Sequence, residues 1–244
     1  MSKTAKSKSE KKRVAIQKAG DDPAVKLWEV ASTNKDRYQE EMLVTMRLLK
    51  AVNPGDAYLE NYLGMIQKYG PRFFDTYHLL RAIGEYVMPK RILEIGTRTG
   101  ISLCQLLVAH NAEDKIQRIV CVDPFDKWTS ANLVRANLKA LSIDETKVQI
   151  LTMKSEDFFK QKGFGYFDYI LVDGDHAKPA ARMDLEAAHL MLAKGGIIVF
   201  DDISTNDGEC GLITEWDDFL GEHGHEYYSY QRMEGKGVGW AIKR

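Results

Sequence analysis

From residue 90 to the end of the chain, short β-rich apolar runs alternate with helical stretches, and no other feature narrows the fold as far. The runs lie at 91–95, 119–123, 148–153, 169–173 and 197–201, with helical segments such as 101–110 and 180–192 between them. Strands joined through helices pair in parallel and are covered on both faces, so they read as continuous apolar runs. The tail breaks this grammar. Two further strands, 226–232 and 238–243, are separated only by the turn 233–237. A parallel crossover needs about a dozen residues or more, so this pair must be antiparallel. The expected fold is α/β: a Rossmann-like sheet of parallel strands ending in an antiparallel hairpin, with helices on both faces.

Residues 23–88 follow a different pattern, with apolar side chains at three-to-four spacing: Met42, Met46 and Leu49, then Tyr58, Tyr62 and Met65, then Leu79, Ile83 and Tyr86. Asn53-Pro54-Gly55 and Tyr69-Gly70-Pro71 break the stretch into separate helices. This N-terminal helical segment could act as a cap over a site, or as a contact in a homo-oligomer. The domain that would carry chemistry is expected at 89–244. Residues 1–22 are set apart by charge. Within residues 1–13, Lys3, Lys6, Lys8, Lys11, Lys12 and Arg13 face Glu10 alone, so a net charge of −1 hides a balance of −6 over residues 14–244. So basic and apolar-poor an arm cannot offset its ordering entropy and is expected to be disordered. It is either a solvated tail or a contact for nucleic acid or an anionic surface. Hydrophobic residues at 44% exclude disorder for the rest. No apolar run is long enough to span a membrane, and Cys104, Cys121 and Cys210 form neither a disulfide framework nor a zinc motif. A cytoplasmic protein is expected.

In a doubly wound sheet, ligands sit beyond the carboxyl ends of the strands. The first such end reads Glu94-Ile95-Gly96-Thr97-Arg98-Thr99-Gly100-Ile101-Ser102. Dinucleotide sites use GxGxxG to bring backbone against a pyrophosphate at a helix N-terminus. Here Arg98 stands two residues after Gly96, and Gly100 follows; this spacing argues against a pyrophosphate cradle and suits an adenosyl ligand without phosphate. The second strand ends in Asp123, a carboxylate able to accept both hydroxyls of a ribose. A generic turn with a capping Asp is the plainer reading.

The fourth strand ends Val172-Asp173-Gly174-Asp175-His176 and the fifth Phe200-Asp201-Asp202. A right-handed crossover through 180–192 makes these strands neighbours, their ends about 5 Å apart. Asp173, Asp201 and Asp202 would then share one rim, where three carboxylates need a cation or a shared proton. An oxygen-only set favours Mg²⁺, with Mn²⁺ or Ca²⁺ as alternatives. By spacing alone, a Gly turn and a loop-start cap fit equally well.

The stretch 93–102, LEIGTRTGIS, resembles the first motif of the class I S-adenosylmethionine-dependent methyltransferases, and VCVD at 120–123 resembles the second. The resemblance runs from about residue 90 to 244. It implies that Glu94, Gly96 and Ser102 contact the methionine moiety within the turn that holds Thr97 and Gly100. It places Asp123 on the ribose and Ser155 and Glu156 on the adenine, with Asp173 also at the cofactor. Where the common first motif has a glycine this chain has Arg98, a departure shared with the metal-dependent O-methyltransferases. Catechol- and caffeoyl-CoA-type enzymes carry an Asp and an Asp-Asn pair at positions matching Asp173, Asp201 and Asp202, the last being Asp here. They carry a Lys base where this chain has His176; the metal-dependent sugar O-methyltransferases, with a His there, are more similar. The resemblance therefore implies Asp173, Asp201 and Asp202 as metal ligands. His176 would be the general base toward a hydroxyl on a small-molecule acceptor, its imidazole titrating near neutrality. The alternative for His176 is a helix-start residue bonding Asp175.

Three rival readings follow. An RNA or protein methyltransferase would use the basic arm, although the body lacks a basic stripe. A degenerate adenosyl-binding module would have no need of so many adjacent carboxylates. An oxidoreductase is disfavoured by Arg98. His223-Gly224-His225-Glu226 reads as a loop, since it lacks a spaced third ligand, and His110 and His189 fall within helices as structural residues. Arg72, Phe73, Phe74, Tyr77 and His78, Trp128, and the loop 204–211 are candidate rims for an acceptor.

Overall fold

All seven expected strands form one sheet in the order β3-β2-β1-β4-β5-β7-β6. The computed structural model describes residues 22–69, 75–110, 113–126, 129–204 and 211–244. The strands are β1 (Arg91–Ile95), β2 (Arg118–Asp123), β3 (Val148–Thr152), β4 (Phe167–Val172), β5 (Leu192–Asp201), β6 (Tyr227–Arg232) and β7 (Val238–Lys243). The first five pair in parallel, while β7 is antiparallel to both β5 and β6. The strand order reverses at β1, between β2 and β4, which is where this architecture leaves a crevice.

Alternation along each strand divides the core in two. Ile92, Cys121, Leu171 and Val199 face one side, where they join a cluster with Leu27, Met42, Leu79 and Leu106. Leu93, Val122, Val172 and Phe200 face the other, against Leu185, Trp216 and Phe219. Both faces of the inner strands β1, β2 and β4 are buried, while the edge strands β3 and β6 are only partly covered.

The helices preceding the sheet are α1 (Pro23–Thr33), α2 (Lys35–Val52), α3 (Ala57–Tyr69) and α4 (Asp75–Ala82), the last continuing as a π-turn over Ile83–Val87. Asp22 opens α1 by accepting the Ala24 amide at 2.8 Å, with Pro23 in the first turn where no amide is needed. These helices share the first buried cluster with the sheet. Trp240 on β7 donates from Nε1 to the Ala24 carbonyl at 3.0 Å, and its ring packs 5.7 Å from that of Trp28. Arg81, fully buried on α4, donates to Gln105 at 3.0 Å, Thr45 at 2.7 Å and Glu41 at 3.1 Å, tying α2 to the sheet-covering helix α5 (Ile101–Val108). The remaining helices are α6 (Ala131–Ala140), α7 (Ser155–Phe159), α8 (Lys178–Met191) and α9 (Ile213–His223).

One boundary differs from expectation. β5 starts at Leu192, directly after α8, whereas the sequence indicated a helical segment through 192 and a strand from 197. The β4–β5 register shifts between Phe167 and Tyr169, and the intervening bulge absorbs Ala193-Lys194-Gly195-Gly196. Residues 1–21, Arg72, Phe73, Phe74, Trp128 and Cys210 lie outside the described residues, as does most of the 204–211 loop. Cys104 and Cys121 are buried free thiols. No helix among the described residues is long and apolar enough to cross a membrane.

Candidate active site

The turn after β1 is built on a close approach that only glycine permits. Gly96 has φ +84, and a Cβ there would fall 1.7 Å from the Asp173 carbonyl oxygen at the end of β4. The ends of β1 and β4 are thereby pressed together, and Asp173 donates its amide to the Ile95 carbonyl at 3.0 Å. The turn closes with Gly100 N–H on the Thr97 carbonyl at 2.7 Å. Arg98, between them, is held in the left-handed region at φ 50, and its amide donates to Asp123 Oδ2 at 2.8 Å. Asp123 Oδ1 accepts the amide of Phe125, also left-handed at φ 50, at 2.6 Å. Burial raises the Asp123 pKa against these two amides, which favour the charged form.

Beyond these strand ends opens a cavity of about 670 Å³. Of the residues expected at the cofactor, Gly96, Asp123, Ser155, Glu156 and Asp173 line it. Glu94, Thr97, Gly100 and Ser102 stand behind that wall. Glu94 is 2% exposed, its pKa well above the ordinary value through burial and the nearby Asp173 charge. Thr97 is also buried, its hydroxyl on the Glu94 carbonyl at 3.3 Å, and Ser102 bonds the Tyr77 hydroxyl. The cavity's far wall is Ala57, Tyr58 and Asn61 of α3. The Arg98 guanidinium hydrogen-bonds the Tyr58 hydroxyl and stacks 5.1 Å over its ring. Sequence reasoning named Tyr58 only as an apolar helix position. Arg98 in place of a motif glycine was the available signal, since so large a cation at a buried turn requires a partner.

Asp173 belongs to a second group of side chains. His176 Nε2 lies 3.2 Å from Asp202 Oδ2 and 3.7 Å from Asp173 Oδ1, and ligand atoms of Asp173, His176 and Asp202 all fall within 4.8 Å of one another. Asp201 points one oxygen at the Thr76 hydroxyl of α4, 2.8 Å away. Burial and the charges of Asp202 and Asp173 push the Asp201 carboxyl well above its usual range, and burial with Asp173 raises the Asp202 pKa against Lys236 and His176. The bond to Asp173 raises the His176 pKa, against burial.

Two participants were not legible in the sequence. Lys236, in the β6–β7 turn, places Nζ 3.0 Å from Asp202 Oδ1 and 3.3 Å from Oδ2. Burial alone would lower its pKa, but Asp202 and Asp201 raise it. Gly237, φ +76, lets this turn reach the site: a Cβ there would lie 2.6 Å from the Ser204 amide, which donates to the Lys236 carbonyl at 2.8 Å. Thr76 is the other, brought in by α4 from 125 residues away. Of the candidate rim residues, His78 is buried in the protein. His110 bonds the Pro89 carbonyl at 2.9 Å.

Comparison with known proteins agrees with this geometry. A family model described as "Methyltransferase domain" matches residues 93–203. "Probable caffeoyl-CoA O-methyltransferase 3" of Dictyostelium discoideum is 29% identical over 119 residues, covering 47% of this chain and 44% of that protein. The matched region thus spans less than half of that relative. The O-methyltransferase of Bacillus cereus, solved in complex with SAH, superposes with a TM-score of 0.55 at 20% identity, over 69% of this chain and 80% of that one. The O-methyltransferase TomG of Streptomyces achromogenes, solved with SAM, gives 0.53 at 19% over 69% and 79%. Residues 93–203 are thus similar to a methyltransferase domain, and both the glycine turn closed on β4 and the carboxylate ending β2 lie within that stretch.

Proposed function

We propose that this protein transfers a methyl group from S-adenosylmethionine to a hydroxyl oxygen of a small molecule, with His176 as general base and a divalent metal at Asp173, Asp201 and Asp202. The observation that carries this reading is the double position of Asp173. It lines the adenosyl-sized cavity and, through the same side chain, belongs to the cluster with His176 and Asp202. A methyl donor and a proton acceptor would therefore meet across one residue.

The residues suit the cofactor: the Gly96 approach leaves backbone, not side chain, at the cavity floor, and Asp123 keeps lone pairs beyond its two amides. S-adenosylmethionine supplies a methyl group that is already activated, so positioning is most of what the protein must add. The acidic rim also suits a hard cation, since burial and neighbouring carboxylate charge raise the pKa of both Asp201 and Asp202 there. A divalent ion lowers the pKa of a hydroxyl bound to it. His176 is the group we assign to take the acceptor's proton; its Nε2 faces Asp202 and Asp173, and it could accept only once those carboxylates turned toward a bound cation. Helix α3 lines the far side of the cavity, where Tyr58 packs against Arg98.

Lys236 favours a second reading of the same site. Its ammonium already supplies a positive charge to Asp202, and a metal would then be dispensable. Titration calorimetry of S-adenosylmethionine, with NAD as control, followed by methyl-transfer assays on hydroxylated acceptors in Mg²⁺ and in EDTA, tests both. Donor binding without NAD binding, activity lost in EDTA, and His176→Ala turnover reduced by about a hundredfold or more support the metal-dependent reading. Activity undiminished in EDTA supports Lys236, and absence of donor binding removes the methyltransferase reading altogether.

A further inference from the structure

The end of the sheet opposite the cavity holds a group of side chains with no part in that chemistry. α8 runs back from the carboxyl ends of the strands, so its last turn, the end of α9 and the start of β6 meet at the other end of the fold. There His189 of α8, His223 of α9 and Glu226, just before β6, converge, with one ligand atom of each within 4.8 Å of the others. The imidazoles stack with centroids 4.2 Å apart. His223, which the sequence placed in a loop without a spaced third ligand, acquires that ligand from a helix 34 positions away.

Hydrogen bonding assigns a direction to each ring. His189 Nδ1 is 2.8 Å from the Tyr227 hydroxyl, and His223 Nε2 is 2.8 Å from Glu186 Oε2. A carboxylate only accepts, so His223 carries its proton on Nε2, toward Glu186; a proton on His189 Nδ1, toward Tyr227, completes the same arrangement. The other nitrogens, His189 Nε2 and His223 Nδ1, then present lone pairs, and each lies 3.8 Å from the same atom, Glu226 Oε1. That is too long for a hydrogen bond. Three electron-pair donors thus lie around one point, the stacked rings, tilted by 24°, having to swing apart for both lone pairs to meet an ion there; each histidine's outer nitrogen is held by a hydroxyl or a carboxylate, the arrangement that orients metal-bound imidazole.

We infer that His189, His223 and Glu226 form a structural site for a transition-metal ion of the zinc class, which clasps the ends of α8 and α9 to the C-terminal hairpin. Tetrahedral zinc with bonds of about 2.0–2.1 Å places neighbouring ligand atoms roughly 3.3–3.5 Å apart, so the 3.8 Å spacings close by a few tenths of an ångström on binding. Two imidazoles and one carboxylate, with water as a fourth ligand, favour zinc, copper or nickel over magnesium. Glu186 and Glu222 are balanced by Arg182, at 2.6 and 2.8 Å, and the Lys243 ammonium is directed to the His189 carbonyl at 2.9 Å, leaving Glu226 to face the ion.

The full-length protein, stripped with chelator and dialysed, is titrated with Zn²⁺ in competition with a chromophoric chelator, in 5 mM-class excess Mg²⁺ so that any hard-cation site is filled (about a thousandfold over protein, since Mg²⁺ does not compete for imidazole sites). One tightly bound zinc, a rise in thermal midpoint on adding it, and at least about a tenfold loss of affinity in His223→Gln and in Glu226→Gln, but not in Asp202→Asn, are the expected results. Should His223→Gln not fold, zinc-edge X-ray absorption of the wild type reports two imidazole ligands if the assignment is right. No binding by the wild type, binding lost in Asp202→Asn instead, or an absorption spectrum without imidazole overturns the proposal. None of these outcomes depends on methyl transfer, so this site and the proposed function stand or fall separately.

Discussion

Replacing Asp123 tests how the cofactor turn is held. Its two oxygens accept the amides of Arg98 and Phe125 at 2.8 and 2.6 Å, and those are two of the five non-glycine residues with positive φ among the described residues. A left-handed backbone costs a non-glycine residue about 1–2 kcal/mol, so the carboxylate holds two strained positions at once. Hydrogen bonds to a charged acceptor are worth about 1.5–3 kcal/mol each. Burial of the charge, which raises the Asp123 pKa, takes back part of that sum. In Asp123→Ala, both residues relax toward negative φ and recover some of the strain. The expected net loss is about 2–3 kcal/mol of unfolding free energy, together with loss of ligand binding, because the turn 97–100 shifts away from the cavity. Asp123→Asn is the sharper variant. Its amide oxygen can accept one N–H, but its NH₂ group then faces the other donor, so the isosteric change is expected to cost within about 1 kcal/mol of the alanine. Urea unfolding followed by tryptophan fluorescence gives the stability, and calorimetry with S-adenosylhomocysteine gives the binding. An Asp123→Asn protein within about 0.5 kcal/mol of wild type that binds the ligand normally would refute this account of the turn.

Other variants probe the rest of the fold. Asp184 is fully buried, and burial pushes its carboxyl up to about 6 despite a hydrogen bond from Ser155. Because this folded pKa lies above the unfolded one, stability is greatest below about pH 4 and is lost as pH rises toward 6. Asp184→Asn should therefore be more stable than wild type by about 1–3 kcal/mol at pH 7.5, with the gap closing at pH 4, as read by urea midpoints. Trp240→Phe deletes the donor to the Ala24 carbonyl and leaves that oxygen buried; a loss of about 1–3 kcal/mol in the same assay is expected, with α1 amides exchanging faster by hydrogen exchange. Lys236→Met strips the ammonium from Asp202, which is 3% exposed, and should cost about 2–4 kcal/mol in EDTA, a deficit that Mg²⁺ repairs more in the variant than in wild type by thermal shift.

The sheet was readable because its information is local. The parallel strands inside the sheet are buried on both faces, so they appear as largely apolar runs, and the 233–237 turn is too short for anything but a hairpin. The bulge at 193–196 was missed for the converse reason: Gly195-Gly196 signals a turn wherever it occurs, and only pairing with β4 converts it into strand. Gly96 and Asp123 stood out in the sequence because each ends or follows a strand, although the groups they meet, the Asp173 carbonyl and the Arg98 amide, come from other strand ends. The amino-acid sequence by itself thus indicated parallel strands, the terminal reversal and a glycine turn, each marked by residue pattern within a short stretch. Tertiary structure alone decided that Lys236 would sit on Asp202, Thr76 on Asp201, Tyr58 over Arg98, and His189 beside His223. Those contacts join positions from 34 to 125 residues apart. A charged or imidazole side chain carries no periodic signal of its partner, and only packing the helices onto the sheet brings the two within reach.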